Sequence, residues 1–69
     1  MERDIAATLM EISLRIGEHY NEMWTTAQKI VDENERNRVR ISIGDIMGLL
    51  YTGVMIPIIE EYPQLDPDR

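Results

Sequence analysis

The segment Ser42-Ile43-Gly44-Asp45-Ile46-Met47-Gly48-Leu49-Leu50-Tyr51-Thr52-Gly53-Val54-Met55-Ile56-Pro57-Ile58-Ile59-Glu60-Glu61-Tyr62 decides how this chain folds. Ser42 with Asp45 three residues later has the form of a capping box, with an aspartate in place of the usual glutamate, and predicts a helix start near residue 43. Pro63 is the natural stop near Tyr62. Wound at about 100° per residue, the apolar side chains from Ile46 to Ile59 leave no gap wider than about 60°. Such a helix has no wet face and must be covered by protein or by lipid. Pro57 lies inside it, removes the donor that would serve the Gly53 carbonyl and predicts a kink. Gly44, Gly48 and Thr52, four apart, form a helix-packing ridge of small residues that would admit a close neighbour.

Upstream, residues 4–34 carry Ile5, Leu9, Ile12, Ile16, Tyr20, Met23, Ala27 and Ile30 at intervals of three and four, the stripe of an amphipathic helix. The stripe spans an arc of roughly 80°, with Ala6, Trp24 and Val31 on its shoulder and Glu11, Arg15, Glu18, Glu22, Lys29, Asp32 and Glu33 on the far side. Asp4 is the expected N-cap. Met10 and Leu14 lie off the stripe. Residues 35–42 read as a basic loop: Asn34 and Asn37 weaken the helix, and Val39, Ile41 and Ile43 alternate with Arg40 and Ser42 at the period of a strand that has no partner. Arg36, Arg38 and Arg40 are expected in solvent, in salt bridges to the acidic tail between Glu60 and Asp68, or against an acidic partner. Residues 63–69 form that tail.

Sixty-nine residues make one small domain. Ile, Leu and Val supply 18 of them, enough to fold despite the high charge. A core of this size is marginal alone, and small domains add disulfides, a metal or a partner chain. The chain has no Cys and one His, which leaves a partner subunit as the expected source of stability. Seven Lys and Arg against thirteen Asp and Glu give a net charge of −6, which argues against non-specific nucleic-acid binding. Met1-Glu2-Arg3-Asp4 has neither the basic nor the apolar part of a secretory signal, so a cytoplasmic location is expected.

Side chains with chemistry to offer are few. His19 has Glu22 one helical turn on, but a metal needs three or four ligands and di-metal bundles use the opposite order, Glu-x-x-His. A boundary histidine bonded to a neighbouring carboxylate is the expected outcome. No Ser or Thr has both a base and an orienter available. The run from Ile43 to Gly48 lacks the third glycine, the lysine and the preceding strand of a phosphate loop. Glu60 and Glu61 sit at a solvent-exposed helix end with nothing to raise a pKa. No catalytic, cofactor-binding or metal-binding residue is therefore assigned, and no enzyme activity is expected.

The expected architecture is all-α, a two-helix hairpin that forms a homodimeric four-helix bundle. Ile5, Leu9, Ile12, Ile46, Leu50, Val54 and Ile58 are the expected dimer interface. The expected function is that of a small acidic, non-catalytic protein–protein interaction module, an adaptor, inhibitor or regulatory subunit, whose partners are itself and a second protein. Met10, Leu14 and Trp24 are the candidate docking residues. Two alternatives remain open. One is a single-span membrane protein using the 19-residue run Ile41 to Ile59, although its uninterrupted uncharged part, Ile46 to Ile59, is only 14 residues. The other is a metal- or ligand-binding bundle built around His19.

Overall fold

Asp32 supplies the strongest local signal in the chain: its carboxylate accepts a hydrogen bond from the Glu35 backbone N–H at 2.8 Å. Glu33 and Glu35 then place two carboxylates in the first helical turn, where they face the positive end of the helix dipole. The second helix therefore starts at residue 33, ten residues earlier than the Ser42 signal suggests. The computed structural model describes residues 1–69 as an all-helical hairpin without strands. Its elements are α1 (Arg3–Ala27), α2 (Glu33–Leu50), a π-helical turn (Tyr51–Met55), α3 (Ile56–Glu61) and a 3₁₀ turn (Pro63–Leu65).

The turn between the arms occupies residues 28–32, not 35–42. Lys29 and Ile30 N–H donate to the Thr26 and Ala27 carbonyls at 3.0 and 3.1 Å, closing α1 well before Asn34. Arg36 donates through Nη1 to the Ile30 carbonyl at 3.0 Å and pins the turn to the second arm. The alternation of Val39, Ile41 and Ile43 is overridden because no second strand exists to pair with, whereas the Asp32 cap makes a helix available. At the other terminus Glu2, not Asp4, occupies the cap position without a side-chain bond, and Asp4 sits in the first turn.

Pro57 does not break the second arm. The Ile56 N–H donates to the Tyr51 carbonyl, five residues back, and this widened turn admits the pyrrolidine ring. Residues Glu33–Glu61 consequently form one unbroken rod of 29 residues, about 44 Å at helical rise.

The two arms meet along a face of α1 that overlaps its apolar stripe only at Leu9 and Ala27. Buried on α1 are Ala6, Met10, Ser13 and Ala27; buried on the second arm are Ile43, Met55 and Ile58. Ala6, Met10, Met55 and Ile58 form the core, with Leu9, Leu50, Val54, Ile59, Tyr62 and Leu65 packed around it. The buried face of α1 is turned by about 90° from the centre of its apolar stripe. Small residues explain the choice: Ala6 and Ser13 let the arms approach, while a Cβ on Gly17 would make only an ordinary contact with Met47 Cε at 3.9 Å. The buried Ser13 hydroxyl is satisfied by the Leu9 carbonyl at 2.7 Å. The result is elongated, 45 × 19 × 16 Å, with a radius of gyration of 14.6 Å against about 11 Å for a compact domain of this length.

Candidate functional site

Turning α1 partly away from its own stripe covers Leu9, Tyr20, Ala27 and Ile30 and leaves the rest of the stripe in water. Ile5, Ile12, Ile16 and Met23 are all exposed, Ile16 and Met23 at 41% and 45%. Spacings of four and seven place Ile12, Ile16 and Met23 on one flank of the helix. On the second arm, Val39, Ile43 and Ile46 form the matching flank. Two contiguous depressions share Met23, Val39 and Ile43; one reaches His19, Glu22, Thr26 and Ile30, the other Glu35, Arg38, Ser42 and Ile46. Together they make an open apolar groove along one side of the hairpin, its turn-proximal part about 530 Å³.

The expected dimer-interface residues divide by position. Ile58 is completely buried inside this chain and is therefore unavailable to another copy. Leu9, Leu50 and Val54 are half-buried against the same core. Ile5, Ile12 and Ile46 are exposed. The error for Ile58 has a simple cause: the rod is apolar all round, so hydropathy alone does not show which side α1 covers.

The docking candidates divide likewise. Met10 is buried and belongs to the core, because the small-residue face rather than the stripe turns inward. Leu14 stays 44% exposed. Trp24 is half-buried, with Tyr20 stacked at 6.5 Å between centroids and the Arg40 guanidinium 4.9 Å above its ring. This aromatic-cation cluster lies on the side of the hairpin opposite the groove, beside Asn37 and Ile41. Arg40 as the cover of Trp24 is not visible from the sequence, because it depends on which residues of the two arms stand level.

The three arginines, grouped in a loop by the sequence reading, separate on a helix. Arg36 holds the turn, Arg40 covers Trp24, and Arg38 points away with no carboxylate within 4 Å. None reaches the acidic tail. The ridge Gly44, Gly48 and Thr52 is also exposed: a Cβ on either glycine would meet nothing within 4 Å, and Thr52 bonds the Gly48 carbonyl of its own helix. No segment of this chain packs there.

His19 Nδ1 stands 3.5 Å from Glu22 Oε2, both side chains well exposed. No group of three metal-ligating side chains comes together anywhere. At the end where the termini meet, the Met1 amino group contacts Glu61 at 3.0 Å and the Tyr62 hydroxyl donates to the Met1 carbonyl at 2.6 Å. Burial, then the adjacent Glu61 charge, holds the Tyr62 phenol above the usual tyrosine range. Both contacts close the hairpin; neither presents a reactive group in a cleft. No family model, no curated protein and no solved structure matches this chain.

Proposed function

We propose that this chain is a small acidic, non-catalytic protein–protein interaction module, an adaptor, inhibitor or regulatory subunit, that works as a homodimeric four-helix bundle in the cytoplasm. The observation that carries the reading is the exposed flank of α1, where Ile5, Ile12, Ile16 and Met23 remain in water while Ala6 and Met10 turn into the core. Aligned large apolar side chains of this kind mark interaction surfaces on soluble proteins. Only 7 of 69 residues are buried within the chain, so further burial has room to add stability. Leu14 and Trp24, both away from the groove, support a second docking surface for an unlike partner; Met10 does not.

Sedimentation in detergent-free buffer at micromolar concentration tests the first part. A cooperatively melting dimer is the expected species, and a compact monomer overturns the reading. Alanine at Leu14 and Trp24 is expected to leave that dimer intact.

One observation favours a second reading, a single-span membrane protein. The rod Glu33–Glu61 is long and apolar enough to cross a bilayer, with only 17% of its most apolar stretch buried by the rest of the chain. The helix passes through Pro57 without a break, although the uncharged run between Asp45 and Glu60 is still 14 residues. Crossing would require α1 to separate from the rod and would carry Asp45 into or near the hydrocarbon. Recovery without detergent eliminates this reading; a requirement for detergent replaces the first with it.

A further inference from the structure

The groove between Met23 on α1 and Val39, Ile43 and Ile46 on the second arm has a charged residue of opposite sign on each rim, Glu22 and Arg38. His19 and Glu22 line the α1 rim, and Glu35 and Arg38 line the other. Met23, which follows Glu22, shares one depression with Arg38 and Val39, so Glu22 and Arg38 flank the same part of the groove. Arg38 has no carboxylate within 4 Å in its own chain.

We infer that a second copy of this chain seats in the groove, related by a two-fold axis parallel to the helices, so that Glu22 of each copy meets Arg38 of the partner subunit. Such an axis lays α1 of one copy over the rod of the other without changing heights along the bundle. Glu22 then faces Arg38 of the partner subunit twice, and the flanks carrying Ile12, Ile16 and Met23 close over Val39 and Ile46 of the partner. A two-fold axis across the helices would instead stack like on like and leave Arg38 unpaired. Surface area also fits. The chain exposes 5104 Å², about 600 Å² more than a globular monomer of its mass. A stable pair of proteins buries about 800 Å² on each partner, so one face-to-face contact accounts for the excess.

This inference rests on the self-association proposed above, and the experiment separates the two. Sedimentation equilibrium is run on the native chain, Ile16→Asp, Ile46→Asp, Ile41→Asp, Gly48→Leu, Glu22→Arg, Arg38→Glu and the double reversal, with helicity checked by circular dichroism. Ile16→Asp and Ile46→Asp should weaken the dimer at least a hundredfold. Ile41→Asp, on the opposite side, should leave it unchanged. Each single reversal should raise Kd about tenfold by turning two attractive contacts into repulsive ones, and the double reversal should restore it. The reversals alter exposed side chains only, so they report even if an aspartate variant unfolds. Loss of the dimer in Gly48→Leu alone, or persistence in both groove variants, overturns the groove while leaving self-association standing. Failure of the double reversal to restore affinity overturns the two-fold placement. A native monomer overturns both.

Discussion

Where the chain termini meet, α1 and the rod enclose Ala6, Met10, Met55 and Ile58, and the Tyr62 hydroxyl and Glu61 carboxylate tie Met1 across the opening. Toward the turn, the same two helices are held by Ala27, Ile43, the Arg36 bond to Ile30 and the Arg40–Trp24 stack, while a groove stays open beside them. One end has a continuous core, the other a set of local ties. The difference comes from side-chain size. Ala6 and Ser13 allow α1 to approach closely near the termini, and the bulky Ile12, Ile16 and Met23 are thereby swung to the outside for the rest of its length. The closed end supplies stability, and the open end supplies surface.

Removing volume from the closed end should have the largest effect. Ile58 is fully buried, and Ile58→Ala should cost about 2–5 kcal/mol, measured as a lower urea midpoint; a loss below about 1 kcal/mol would mean that the enclosed core is not what holds the hairpin. The inversion of α1 is tested by Met10→Ala against Leu14→Ala. Met10 in the core should cost about 2–4 kcal/mol and exposed Leu14 within about 0.5 kcal/mol, and the reverse ranking would put the stripe, not the small-residue face, against the rod.

A smaller effect tests the turn end. Asp32→Ala removes the cap of α2 and should cost about 1 kcal/mol, whereas Asp45→Ala, in mid-helix, should cost almost nothing. Equal losses would restore a helix start near Ser42. The smallest effect is a pH dependence at the closed end. Tyr62 holds its proton more tightly folded than unfolded, through burial and the Glu61 charge. Its contribution is therefore complete below the unfolded tyrosine pKa of about 10 and is lost as pH rises through the folded value. Stability should fall above about pH 10, and Tyr62→Phe should flatten part of that fall; an unchanged slope would assign it to other groups.

The helical character of both arms follows directly from the residues: a three-four stripe in α1 and an apolar run closed by Pro63 in the second arm. The position of the turn was also readable, since Asp32 and Glu35 form an acidic capping box as good as Ser42 and Asp45. The competing signal misled because the basic run alternates like a strand, and a local period of two carries no information about whether a pairing strand exists. The continuous passage of the rod through Pro57 was not readable, because a proline constrains only its own φ and donor, and whether the preceding turn widens or kinks depends on the packing of Met55 and Ile58 on either side.

Sequence by itself determined that this chain makes two helices, that one of them has no polar face, and that a single short chain has too few partners to cover both apolar surfaces. Only the tertiary structure decided which faces meet. Hydropathy measures the gain from leaving water and says nothing about how closely two backbones can approach; close approach put Ala6, Met10, Ser13 and Ala27 on the inside. That selection left Ile12, Ile16 and Met23 of α1 in solvent, beside a groove whose shape and charged rims exist only once the two arms stand level.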